Sequence, residues 1–164
     1  MRKLNYCGTV GFPMYLLVVI ITTSLIIGIF SMSLFNMINQ TKKEDVKKEI
    51  EKIVSEAENM FEYADAGTKK TINIDFSDAL SFTVFGSLPN NGINLPNTYD
   101  IDEKTSNNYY YVLDDGEINS YSSHVRFSSN DTSKISILSQ GSYDIVLKLV
   151  NTGGKSFVKI YPKQ

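Results

Sequence analysis

The chain has 164 residues, a net charge of −2, one His and one Cys. This length fits one modest domain plus an anchor. A near-neutral chain without a basic stripe argues against a nucleic-acid partner, and a single Cys excludes an internal disulfide framework. One His leaves little for a His-based metal site or a Ser-His-Asp triad. We therefore predict a protein that is not an enzyme, with no catalytic residue, metal or cofactor.

The first two predicted segments are a short basic leader, residues 1–11, and a transmembrane helix, residues 12–35. The second segment contains no charged residue over 24 positions. A helix of that length spans about 36 Å, enough for a hydrocarbon core of about 30 Å. The run is too long for a conventional secretory signal peptide, and no small-x-small cleavage site follows it.

Residues 36–66 are predicted to form an amphipathic helix, because apolar residues recur there at spacings of four and three. We expect this stripe to pack against the chain's own β-sheet, with a neighbour's helix as the alternative. Pairs Glu44–Lys48 and Lys52–Glu56 have the i,i+4 spacing of helical ion pairs. The members of the stripe are Val46, Ile50, Ile53, Ala57, Met60 and Ala64.

Two arrangements of these helical segments are open from the sequence. With no Pro or Gly between them, they can form one helix over residues 13–65. Alternatively, Thr41 and Glu44 read as a capping box, which favours a break near residues 39–41. Gly67 is the predicted C-cap in both arrangements.

Residues 67–164 are predicted to form a β-rich domain. Ile72, Ile74 and Phe76 alternate with polar residues at strand spacing. One hairpin is predicted around the turn at residues 114–117, and another pairs residues 143–150 with residues 156–161. The fold class is α+β: a long N-terminal helix followed by about seven antiparallel strands in one twisted sheet or a small β-sandwich.

The order of basic leader, glycines Gly8 and Gly11, apolar run, amphipathic helix and β domain resembles that of type IV pilin-like proteins, particularly archaeal minor pilins and pseudopilins. The resemblance implies a class III signal peptide, cut by a prepilin peptidase after Gly8 or Gly11. It also implies partners in the membrane and among other pilin-like subunits. Pro13 and Leu16 depart from the bacterial pattern, which has Glu at the position of Leu16.

In such a subunit the apolar helix anchors the protein in the membrane and then packs in the filament core. The predicted contact residues of this helix are Leu16, Val19, Ile20, Ile26, Ile27 and Phe30.

The orientation of the chain is predicted from two conflicting signals. Two basic residues precede the apolar run and five lysines follow it, which places the β domain in the cytoplasm by the positive-inside rule. Those lysines are interleaved with acidic residues, and Asn39 and Asn130 begin glycosylation sequons that have meaning only outside the cell. With the resemblance, this favours a single-pass protein with its C-terminal domain outside, or an extracellular filament.

For three other groups of residues we prefer a structural role to a functional one. Tyr109, Tyr110 and Tyr111 are expected to alternate between the two faces of a strand. Asp100, Asp102 and Glu103 lack the spacing of a calcium loop. The serines beside His124 have no orienting carboxylate in the sequence, so a nucleophile is not predicted.

The sequence thus predicts a structural subunit of an archaeal type IV filament or a related secretion machine. The alternative is a single-pass, signal-anchored surface protein whose β domain binds an envelope component or a partner protein.

Overall fold

The computed structural model describes the backbone of residues 11–163 and side chains from Met14 onward. It contains one long helix followed by eight strands, so the predicted α+β fold class is confirmed. The predicted leader, including Gly8, lies outside the described residues except for Gly11. The elements are α1 (Gly11–Tyr63), β1 (Lys69–Phe76), β2 (Leu80–Phe85), β3 (Asn108–Leu113), β4 (Ile118–Ser122), β5 (Phe127–Ser128), β6 (Ser136–Ser139), β7 (Gly141–Thr152) and β8 (Lys155–Pro162).

Helix α1 is a single helix through residues 39–41, so the alternative with a helix start at Thr41 is wrong. The helix ends at Tyr63, before the predicted boundary at residue 66. Gly67 has φ of 98° and its N–H donates to the Leu149 carbonyl at 2.8 Å, which places it in the connection to β1 rather than at the helix cap. The chain divides into two compact units between Gln40 and Thr41, and each is described separately.

The second unit contains two four-stranded sheets. Sheet I has the order β1-β7-β8-β5, and sheet II has the order β4-β3-β2-β6. Both predicted hairpins are confirmed, since β3 pairs with β4 and β7 pairs with β8 in antiparallel register. There are eight strands where about seven were expected, and the pairing is antiparallel as predicted except that β5 runs parallel to β8 over two residue pairs.

Gly86 allows the end of β2 to approach the backbone of β5. A Cβ at this position would lie 2.9 Å from the Phe127 carbonyl oxygen, and the residue has φ of 96°. Only glycine adopts that conformation and that approach without strain. The two sheets therefore meet beside β5 at a point where no side chain fits.

The main core of the second unit is formed by the helix stripe together with residues from both sheets. Five of the six predicted stripe residues are buried and Ala64 is partly buried, which confirms packing within the chain rather than against a neighbour. Val54, which the spacing did not predict, is buried as well. The other residues of this core are Val125, in the segment between β4 and β5, and the strand residues Ile72, Ile74, Phe76, Leu80, Phe85, Tyr109, Tyr111, Leu113, Phe127, Leu138, Ile145, Leu147, Leu149, Val158 and Ile160.

A second, smaller core lies on the opposite face of sheet II. It contains Phe82, Val84, Tyr110, Val112 and Ile135, with Ile101 and Ile137 packed against them. The connection between β2 and β3 crosses this face, because the Ile101 N–H donates to the Ser133 carbonyl and the Ile135 N–H donates to the Tyr99 carbonyl, each at 2.8 Å. Sheet II is thus covered on both faces.

The core position of the stripe makes a direct prediction for Ile53, whose side chain is fully buried. Ile53→Ala should lower the free energy of unfolding by about 2–5 kcal/mol, since it removes buried methyl groups and leaves a cavity. Urea unfolding of the full chain in neutral detergent measures this. Ser55→Ala, on the exposed side of the same turn, should change stability by less than about 0.5 kcal/mol. Equal effects of the two substitutions would contradict the assigned core.

Candidate functional site

The first unit contains an apolar helical segment, residues 14–38, whose side chains are all exposed. The six predicted contact residues are between 41% and 67% exposed. No charged residue occurs in this segment. An exposed apolar surface of this extent marks a membrane or an assembly contact, because water disfavours it.

Four hydroxyl side chains of the segment are satisfied by the helix itself. The hydroxyls of Thr22, Ser24, Ser31 and Ser33 donate to the carbonyls four residues earlier, at 2.8–3.1 Å. Such internal bonds remove the cost of placing a hydroxyl in a medium without water. The segment is long and apolar enough to cross a membrane, and it lies near the N-terminus.

The six predicted contact residues share one side of this helix. At 3.6 residues per turn they fall within an arc of about 120°. Leu25, which is 62% exposed, lies on the opposite side. The helix therefore offers a continuous apolar face.

In the second unit, polar contacts fix the flanks of the helix stripe. On the side of β1, the Glu56 carboxylate accepts from Lys70, and the Lys52 ammonium donates to the Asn73 carbonyl at 2.7 Å. The predicted pair Lys52–Glu56 is therefore wrong, since β1 binds both partners. The predicted pair Glu44–Lys48 is also wrong, since Lys48 pairs with Asp45 at 3.4 Å.

On the side of sheet II, Lys43 joins the start of this unit's helix to the β3–β4 turn. Its ammonium donates to Asp115 at 2.5 Å and to Glu117 at 2.9 Å. Nearby, Lys42 pairs with Asp78 at 2.8 Å in the β1–β2 turn. We call this end of the second unit, defined by these five residues, the helix-entry end.

The charged groups at the helix-entry end shift one another's pKa values. The Lys43 ammonium holds the pKa of the Asp115 carboxyl below its usual value, and the Asn119 amide and Lys43 together lower the pKa of Glu117. The hydrogen bond to Asp115 is the main reason that the pKa of Lys43 is raised. The three groups thus stay charged over the whole neutral range.

At the other end of the stripe, Glu58 and Glu62 bind the segment that joins β4 to β5. Ser123 Oγ donates to Glu58 at 2.7 Å. His124 Nδ1 lies 3.7 Å from Glu58 and Nε2 lies 3.3 Å from Glu62. Because the serine hydroxyl is engaged by a carboxylate and not by the histidine, this group has the arrangement of a structural clasp rather than of an activated nucleophile. The sequence missed it because the glutamates are about 65 positions from the serine.

The three consecutive tyrosines alternate as expected. Tyr109 and Tyr111 belong to the main core, and Tyr110 belongs to the smaller core on the other face of sheet II. Burial raises the pKa of all three phenols. They are core residues and form no exposed aromatic patch.

The predicted loop charges and sequons lie at the surface. Asp102 accepts from the Lys104 N–H at 3.0 Å, and Glu103 pairs with Lys155. Asn39 and Asn130 are exposed. Among residues 11–163, no group of three or more His, Cys, Asp or Glu side chains could hold a metal ion.

An open groove of about 520 Å³ lies between β6 and the end of β8. Ile135, Ile137 and Ile160 line it, and Tyr99 and Tyr161 border it with Asn130 and Lys163. The lining residues of this groove include no carboxylate and no histidine.

No protein-family model, no curated protein and no solved structure matches this chain. Its function must therefore be argued from the exposed helical segment and the domain that follows it.

The Lys43 contacts predict a specific dependence of stability on pH. Carboxyls whose pKa is lowered by folding stabilise the fold above their unfolded values, here 3.8 for Asp115 and 4.5 for Glu117, and lose this contribution as the pH falls through their folded values. Lys43→Met should therefore reduce the loss of stability between pH 7 and about pH 3. Urea midpoints of the full chain at both pH values measure this.

The matched control is Lys48→Met, which removes a pair within the helix itself. It should leave the wild-type pH dependence in place. An unchanged pH dependence in Lys43→Met would contradict the assigned contacts.

Proposed function

We propose that this chain is a pilin-like structural subunit of an archaeal type IV filament or a related secretion machine. The observation that carries the proposal is that the two parts of α1 have different surfaces. Residues 14–38 are apolar and wholly exposed, whereas the stripe that follows is the core of a β domain. One helix thus supplies both a surface for assembly and the framework of the domain that it displays.

Assembly follows from the chemistry of the exposed segment. In the membrane its apolar side chains meet lipid, and four of its hydroxyls are satisfied by carbonyls of the helix itself. When the subunit leaves the membrane, the same side chains must be covered by other helices, because water disfavours them. The face formed by Leu16, Ile20, Ile27 and the other three contact residues makes these contacts.

The charges after the segment are compatible with an exported domain. All five lysines after the apolar run, Lys42, Lys43, Lys47, Lys48 and Lys52, pair with carboxylates of the second unit. Paired lysines present less positive charge than the simple count suggests. We therefore place the β domain outside the cell, in a single-pass membrane protein or a filament.

The rival function is a single-pass, signal-anchored surface protein, and the groove beside β6 favours it. Its two tyrosines and apolar floor suit an envelope component or a partner protein. Such a protein would stay monomeric and keep its leader.

The two functions differ in the N-terminus of the mature protein. The proposal predicts that protein purified from its native membrane begins at Thr9 or Phe12, because prepilin peptidase cuts after Gly8 or Gly11. Intact mass and N-terminal sequencing measure this. Gly8→Leu and Gly11→Leu identify the site, since only the substitution before the cut should block it.

A chain that begins at Met1 or Arg2 would contradict the filament proposal and support the surface-binding protein. A start beyond Phe35 would contradict both, because the exposed segment would then be removed.

A further inference from the structure

We propose that the loop of residues 91–97 docks on the lipid surface through Ile93 and Leu95, and so sets the β domain against the membrane before assembly. This inference rests on the proposed function, because it requires the apolar segment of α1 to span the membrane. The ligand is the uncharged outer region of a bilayer, recognised by apolar side chains alone.

Ile93 and Leu95 are exposed in spite of their size. The two residues are 58% and 46% exposed. They occur in the stretch of residues 86–99, which contains no charged residue. A neutral surface loop with apolar side chains enters a lipid interface without the cost of desolvating a charge.

The loop holds these side chains in place. The Asn91 side-chain amide donates to the Leu95 carbonyl at 3.0 Å and to the Asn97 side-chain oxygen at 3.2 Å. The Asn94 N–H donates to the Asn91 carbonyl at 3.2 Å. These bonds close the loop on itself, so little conformational freedom is lost when it docks.

The loop lies at the helix-entry end of the second unit. Ile93 Cγ2 is 3.7 Å from the position that a Cβ would take on Gly116. Gly116 is flanked by Asp115 and Glu117, which bind Lys43. The exposed apolar side chains therefore lie beside the point where α1 enters the β domain.

Chain length places this end near the membrane. Lys43 follows Phe35, the last residue of the apolar run, by eight residues of α1, which corresponds to about 12 Å of helix. The headgroup region on each side of the hydrocarbon core is about 5–8 Å thick. In a subunit that is still anchored, only eight residues of chain therefore separate the helix-entry end from the end of the apolar run.

The charges of the helix-entry end give no preference for anionic lipid. Lys42 and Lys43 are both bound by carboxylates and do not offer free cations to a negative surface. Docking should therefore depend on the apolar side chains and not on lipid charge.

Tryptophan fluorescence tests this directly, because the chain contains no Trp and each introduced Trp is the sole one. The full chain is reconstituted in phosphatidylcholine vesicles that contain lipid brominated near the headgroup. Ile93→Trp and Leu95→Trp should be quenched about two-fold, since interfacial side chains reach about 5–10 Å into this boundary. Anionic phosphatidylglycerol should leave the quenching unchanged.

Two controls separate this inference from the proposed membrane anchor. Phe30→Trp reports the apolar segment, and Tyr63→Trp reports an 82% exposed position at the end of α1. Quenching of Phe30→Trp without quenching at Ile93 and Leu95 would overturn the docking and leave the anchor intact. No quenching at Phe30 would overturn the anchor itself.

A third outcome would show that protein, and not lipid, contacts the loop. If emission at position 93 shifts to the blue as the protein-to-lipid ratio rises, without quenching by brominated lipid, a second copy of the chain covers the loop. That result would also overturn docking on lipid.

Discussion

The structure of the second unit depends on burial of the α1 stripe under both sheets. The inner faces of sheet I and sheet II are apolar, and the helix residues Val46, Ile50, Ile53 and Ala57 fill the space between them. The stability of a small domain is the small difference between the free energy gained by apolar burial and the conformational entropy lost on folding. The sheets therefore need the helix stripe to bury their apolar inner faces. The β domain and the helix that displays it are therefore one folding unit from Thr41 onward.

This constraint explains the change in character along a single helix. Apolar residues surround the whole circumference in residues 14–38, as in a segment that meets lipid or other helices. Beyond Gln40 the apolar residues narrow to a stripe, and the flanks carry charges that bind β1 on one side and sheet II on the other. The stripe fixes which side of the helix faces the sheets, and the flanking ion pairs and hydrogen bonds hold both sheets to it.

Much of this architecture could be predicted from local patterns. The alternation of Ile72, Ile74 and Phe76 and the glycine-containing turns predicted strands and hairpins that the structure confirms, and the spacing from Val46 to Met60 predicted the buried stripe. The contacts between distant segments were not predictable. Lys43 binds carboxylates 72 and 74 positions away, and β5 is only two residues long, too short for a periodic pattern.

The candidate functional site also has one part that local sequence patterns predict and other parts that they do not. The exposed helical segment could be recognised from composition alone, because its length and lack of charge are properties of consecutive residues. The position of Ile93 beside the helix-entry end could not, since it depends on the path of a long connection across sheet II. The groove beside β6 likewise could not be predicted, because its lining comes from β6, β7, β8 and the loops around Tyr99 and Asn130, which are distant in the sequence.

The most direct measurement of the central claim is cross-linking through the apolar helix in native membranes and in assembled material. In a Cys7→Ala background, single cysteines are introduced at Ile20 and Ile27 on the proposed contact face and at Leu25 on the opposite side. Assembly through this helix predicts cross-linked dimers at positions 20 and 27, with fewer at position 25. Monomers at every position would contradict assembly through α1 and would leave the segment as a membrane anchor alone.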